Sequence, residues 1–231
     1  MTPAIPFPSV CIPSIPTTGG MMWSNEIGLL VWAASTFRNP RIIEFGTNWG
    51  HTTDALARIR GSSVTTVDIR HCDRLRMDPA QQGESLRDHQ IGTFANHSNV
   101  TQVLVGDGNV LPWGNDVAFI DGDHTYDGVR RDTEFVMETS QGRPVLLCWH
   151  DYYQDRDSWV GVSRYVDQLA AAGMQTRFIA ETRMAFGLFN DDWLPHQSLM
   201  TAFGFRPFSS PSFHDLSTLP TLPAARTPTP V

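Results

Sequence analysis

Five apolar runs in this 231-residue sequence end in side chains able to do acid–base or ligand chemistry. Glu44 lies in Arg-Ile-Ile-Glu-Phe, and Asp68 ends Val-Thr-Thr-Val-Asp. Asp107 follows Val-Leu-Val-Gly, Asp121 follows Val-Ala-Phe-Ile, and His150-Asp151 follow Val-Leu-Leu-Cys-Trp. A carboxylate in such a place accepts hydrogen bonds from hydroxyls and amines, or holds a cation. His124 stands three residues beyond Asp121 and has an unperturbed pKa suited to moving protons near neutrality. It also reads as a loop histidine bonded to Asp121 or Asp123. Each acid alone reads equally as a helix or turn cap. All five occupy the same place relative to their strands, and in a parallel sheet those places converge on one rim, where ligands bind.

The stretch Arg41–Ala57, RIIEFGTNWGHTTDALA, carries the first of them. It reads as a buried strand, a tight glycine turn, and a helix opened by Thr52 and Thr53. Glu44, Gly46 and Gly50 give E-x-G-x-x-x-G. Gly46 suits a backbone conformation closed to other residues, and Gly50 is expected to let the turn approach a ligand closely. The helix start offers unpaired N–H groups and a positive dipole end. A dinucleotide loop needs G-x-G-x-x-G, which is missing, and Glu44 would repel a pyrophosphate. A cationic ligand, or one rich in hydroxyl or amine donors, fits better. Asp68, 24 residues after Glu44, could accept both hydroxyls of a ribose. Asp107 could accept from an adenine amino group or simply hold the Asp107-Gly108 turn.

The elements that must position these groups alternate. A helix carrying Ile27, Leu29, Leu30, Trp32 and Ala33 is capped by Ser24 or Asn25 and ends at Asn39-Pro40. Strands are expected over 41–45, 63–69, 99–106, 116–121 and 144–149, and helices over 52–60, 127–139 and 158–172. Residues 70–97 are polar, with a short helical possibility near 83–90, and read as an insertion beside the ligand face. Segments 176–180 and 184–189 read as an antiparallel pair. The fold class is therefore α/β: a doubly wound, mostly parallel sheet with helices on both faces and an antiparallel strand inserted at one edge.

Composition narrows the function. The net charge of −7 and pI near 5.5 oppose broad binding to nucleic-acid phosphates. Cys11, Cys72 and Cys148 show neither paired spacing nor CxxC, so a reducing compartment and no structural zinc are expected. No apolar run is long enough for a membrane span, and the start does not read as a signal peptide, so a cytoplasmic location is expected. Eleven of the 16 prolines fall in residues 1–19 or 207–231. Both ends therefore read as extended arms. The N-terminal arm carries Ile5, Phe7, Val10 and Ile12, which favours packing on the domain or on a second subunit of a homo-oligomer. The expected organisation is an arm at 1–19, a domain at 20–190 and an extension at 191–231.

Across about residues 20–190 the chain resembles the class I S-adenosylmethionine-dependent methyltransferases. The resemblance rests on EFGTNWG, VTTVD, the closing strands, and FIDGDHTYDGVRRD followed by WHDY. The last two segments are similar to those of small-molecule O-methyltransferases of the catechol and macrocin type and of cephalosporin-hydroxylase-like proteins. That resemblance implies a seven-stranded Rossmann-like methyltransferase fold. It implies cofactor contacts from Glu44, Gly46, Asn48, Gly50, Thr52, Asp68, Asp107 and Asp121, a divalent metal on Asp121, His150 and Asp151, and His124 as catalytic base beside Asp121. His150 departs from the pattern, which usually has a carboxylate or amide there. Imidazole suits manganese, iron or zinc better than magnesium. Either the site takes a softer ion, or His150 is no ligand and acts with His124 as orienter and base. The function implied is methylation of a hydroxyl on a small molecule or sugar, with no nucleic-acid or membrane partner. Two other readings stay open: a cofactor- or metal-binding protein with a different or lost activity, and an adaptor that uses its Pro-rich arms.

Overall fold

The computed structural model describes residues 22–70, 73, 86–106, 108, 110–152, 161–179 and 182–190. In chain order the elements are α1 (Ser24–Ser35), β1 (Arg41–Phe45), α2 (His51–Ala57), β2 (Ser63–Asp68), β3 (Val100–Leu104), β4 (Val117–Ile120), α3 (Tyr126–Thr139), β5 (Val145–Trp149), α4 (Gly161–Ala171), β6 (Gln175–Phe178) and β7 (Ala185–Phe189). The strands form one seven-stranded sheet in the order β3-β2-β1-β4-β5-β7-β6. Six strands point the same way, β1 to β5 pairing in parallel, and β7 alone is reversed, antiparallel to both its neighbours β5 and β6. This is the Rossmann-like methyltransferase arrangement expected from the sequence.

Near-continuous apolar strands arise because both faces of the sheet are covered. Ile42, Val64, Val117, Phe119, Leu146 and Phe186 pack with Ile27, Leu30 and Trp32 of α1 and Leu56 of α2. Ile43, Phe45, Ala118, Ile120, Leu147 and Trp149 pack with Val129 and Val136 of α3 and Tyr165 and Leu169 of α4. Each fully buried large apolar side chain contributes roughly 1.5–3 kcal/mol relative to exposure. The direction of strand addition reverses between β1 and β4, and the crevice outside the carboxyl ends of those strands is the ligand place of such folds. The opposite rim is closed by Asp116, which accepts from the Arg41 N–H at 2.8 Å and pairs with the Arg143 guanidinium.

Some local expectations are corrected. Neither Ser24 nor Asn25 caps α1: Trp23 is its N-cap, and the Glu26 carboxylate accepts from the Trp23 N–H at 2.8 Å. Gly50, not a threonine, is the N-cap of α2. Residues 86–90 are not helical, and 88–94 form turns. The arms, with residues 83–85, lie outside the described residues. Cys148 is buried with a free thiol whose pKa is pushed up by desolvation; Cys11 and Cys72 lie outside the described residues. Among the described residues no helix is long and apolar enough to cross a membrane.

Candidate active site

The β1–α2 loop is shaped by its contacts with the sheet. Gly46 has φ 98°, and a Cβ there would lie 2.2 Å from the backbone carbonyl oxygen of Asp121. Only glycine combines that dihedral with that approach. Its N–H donates to the Val67 carbonyl at 2.8 Å, while the Asp121 N–H donates to the Phe45 carbonyl at 2.9 Å. The end of β1 is thereby pinned between β2 and β4. Asn48, also left-handed at φ 46°, donates its N–H to Asp68 Oδ2 at 2.8 Å. Asp68 Oδ1 accepts from the Ile69 N–H at 2.7 Å. Asp68 therefore braces the loop.

Gly50 departs from its expected role. With φ 85°, its Cβ would meet the Ala95 methyl at 2.9 Å and Gly92 Cα at 3.2 Å. The close approach it permits is to the 92–95 segment, where the Gly92 and Phe94 N–H groups donate to the Asn48 and Trp49 carbonyls at 2.8 and 2.9 Å. Part of the polar insertion is thus stitched to the loop.

Glu44 is fully buried. Its Oε2 accepts from Thr53 Oγ1 at 2.5 Å, whereas Oε1 has no partner. Burial pushes its pKa up to about 7 against the pull of the Thr53 and Thr66 hydroxyls. The Thr53 hydroxyl, expected to open α2, turns inward to Glu44. Glu44 pairs in register with Thr66, two residues before Asp68, so the two acids face the same side of the sheet.

In front of the loop lies an open cleft of about 430 Å³, lined by Met22, Gly46, Asn48, Trp49, Thr52 and Asp121 among others. Asn48 Oδ1 is buried in this wall with no partner. Of the expected cofactor residues, Gly46, Asn48, Gly50, Thr52 and Asp121 line the cleft, Glu44 and Asp68 stand behind the loop, and Asp107 lies outside the described residues. Tyr126, just beyond His124 in sequence, packs edge-on against Tyr165 and bonds Gln168.

At its inner end the cleft meets a network of charges. Asp121 Oδ1 lies 3.1 Å from His150 Nδ1 and 3.3 Å from His124 Nε2. Asp151 reaches His150 Nδ1 at 3.4 Å and His124 Nδ1 at 3.5 Å. His150 Nε2 bonds Glu26 Oε2 at 3.1 Å. Arg183 donates its N–H to Glu26 Oε1 at 2.7 Å and places Nη1 3.1 Å from Asp151 Oδ1. Burial opposes charge on His150, yet Asp121, Glu26 and Asp151 lift its pKa to about 10. Burial would raise Glu26, but His150 and the Arg183 and Trp23 N–H groups hold it near 2. Desolvation would also raise Asp121, and the two histidines hold it well below the carboxylate range. His124 is raised because Asp121 and Asp151 outweigh its desolvation. Its Nε2 lies 3.3 Å from Asp121, and that contact together with the charges of Asp121 and Asp151 drives the shift.

The donor set fits a divalent cation. Asp121, His150 and Asp151 each offer an atom within 4.8 Å of the others. His150 turns Nδ1 toward both acids while Nε2 is held by a carboxylate, the usual outer support of a ligating histidine. Glu26 and Arg183 were not read from the sequence as site residues. The one signal for Glu26 is that it is the sole charge in α1; Arg183, between the closing strands, carries none.

Residues 43–152 match the family model of a methyltransferase domain. The fold is similar to a provisionally named caffeoyl-CoA O-methyltransferase of Staphylococcus aureus, at 16% identity over 73% of this chain and 84% of that one, TM-score 0.52. It is similar to a provisionally named O-methyltransferase of Klebsiella pneumoniae, at 15% identity over 74% and 81%, TM-score 0.50. A methyltransferase of Podospora anserina bound to S-adenosylhomocysteine matches at 12% identity over 76% and 82%, TM-score 0.50. No curated protein matches the sequence. Residues 43–152 are thus similar to a methyltransferase domain, and the fold resembles that of O-methyltransferases of known structure.

Proposed function

We propose that this protein transfers a methyl group from S-adenosylmethionine to a hydroxyl oxygen of a small molecule or sugar. The observation that carries the reading is the double engagement of Asp121. It lines the cleft beside the glycine loop and, through the same side chain, holds His124 and His150.

The cofactor would lie against Gly46, Asn48, Gly50 and Thr52, with Asp68 and Glu44 bracing the loop behind it; Asp107 is proposed as a further contact from the sequence alone. Asn48 Oδ1, a buried acceptor with no protein partner, would take a hydrogen bond from a ligand N–H or O–H. S-adenosylmethionine supplies a methyl already activated by its sulfonium, so alignment and deprotonation of the acceptor are what remain. Asp121, His150 and Asp151 would hold a divalent cation, which would supply charge that lowers the acceptor hydroxyl's pKa; the nitrogen donor favours manganese, iron or zinc over magnesium. His124 takes the hydroxyl proton on a ring nitrogen. Asp121 and Asp151 raise its pKa and would stabilise the imidazolium that results.

Calorimetric titration with S-adenosylhomocysteine, together with mass spectrometry of candidate hydroxyl acceptors incubated with S-adenosylmethionine and Mn²⁺, tests the reading. Micromolar binding and a 14-Da product gain are expected; absence of nucleoside binding would overturn it.

A further inference from the structure

Glu26 has no part in the cofactor cleft, yet it is a fully buried acid inside an otherwise apolar helix face. Such a group is costly unless paired. Its pairing is specific: Oε2 faces His150 Nε2 at 3.1 Å, and Oε1 accepts from the Arg183 N–H at 2.7 Å. His150 is itself only 2% exposed. With Nε2 committed to Glu26, the ring plane is fixed and its other nitrogen is the one presented to Asp121 and Asp151, at 3.1 and 3.4 Å.

Arg183 acts in the opposite sense. Its guanidinium stands 3.2 Å from Glu26 Oε2 and 3.1 Å from Asp151 Oδ1, and lies over the Trp23 ring with 4.9 Å to the centroid. It thus occupies, with its own positive charge, one of the carboxylates a cation would need, and like charges this close repel.

We propose that Glu26 is a positioning residue that aims His150 Nδ1 into the Asp121–Asp151 pair, and that Arg183 is a built-in cation competing for the same pair. This rests on the metal reading above and deepens it. Glu26 touches neither substrate nor cofactor; it acts through His150. The two residues share one salt bridge, so a merely structural role predicts the same sign for both substitutions, whereas the proposal predicts opposite signs.

The test is Mn²⁺ affinity of the full chain, read by electron paramagnetic resonance of free Mn²⁺, alongside S-adenosylhomocysteine affinity by calorimetry. Glu26→Gln is expected to weaken Mn²⁺ by about 10–100-fold, the usual effect of losing an outer carboxylate support, with nucleoside affinity kept. Arg183→Gln is expected to tighten Mn²⁺. Glu26→Asp, which retains the charge, guards against a folding defect in Glu26→Gln and is expected to fall between it and the native protein. Native Mn²⁺ binding with unchanged affinity in Glu26→Gln would overturn the positioning role while leaving the metal reading intact. Parallel losses of both affinities in both variants would reduce the pair to a structural clamp and overturn the proposal. No Mn²⁺ binding by the native chain would overturn the proposal and the metal reading together, leaving nucleoside binding to stand or fall separately.

Discussion

The backbone carbonyl of Asp121 occupies the space a side chain on Gly46 would need, 2.2 Å from the ideal Cβ position. One residue thereby couples the β1–α2 loop to the acid at the inner end of the cleft. Gly46→Ala is expected to destabilise the domain by about 1–3 kcal/mol, from left-handed strain plus displacement of β4. A fall in the urea midpoint accompanied by weaker S-adenosylhomocysteine binding checks this. The larger Gly46→Arg would therefore lose stability as well as affinity.

Gly50 predicts a partial rescue. A methyl there meets the Ala95 methyl and Gly92 Cα, and the backbone has φ 85°. Gly50→Ala is expected to cost about 1–2 kcal/mol. Adding Ala95→Gly should recover the part due to the Ala95 methyl and leave the dihedral and backbone-contact parts. Additive losses in the double-mutant cycle, measured by chemical denaturation, would show that the 92–95 segment does not bear on the loop.

Glu44 makes stability depend on pH in a defined direction. Its folded pKa, raised from 4.5 to about 7 by burial, lies above the unfolded value, so the native state binds more protons between those pH values. Stability attributable to it is full at the acid end of that window and declines as pH rises through about 7. At about 1.4 kcal/mol per pKa unit the effect reaches roughly 3 kcal/mol. Glu44→Gln should flatten the difference in unfolding free energy between pH 5 and pH 8, relative to the native chain. An unchanged slope in the variant would contradict the burial argument.

His124 lies between Asp121 and Asp151 and is not among the residues lining the cleft at the β1–α2 loop. His124→Ala is expected to lower turnover by about 10²–10⁴-fold, the range for a lost general base, with S-adenosylhomocysteine affinity nearly unchanged. Equal losses in both would remove it as the base.

Much of this molecule follows from local pattern. The alternation of apolar strands with amphipathic helices implies the parallel sheet, and the closing pair of short strands implies the antiparallel insertion. The acids after successive strands share a rim because parallel strands all point their carboxyl ends the same way. Asp121, His124, His150 and Asp151 are brought together for that reason. Tertiary structure alone decided what those residues face. Thr53 could cap its helix or turn to Glu44, and only packing of α2 on β1 selects the second. Gly50 makes room for Ala95, which arrives from a separate turn. Glu26 meets His150 across 124 residues of sequence and Arg183 across 157. Strand and helix are settled by neighbours a few positions away, but the partner of a buried charge is settled by whichever element the fold lays beside it, and no local spacing records that.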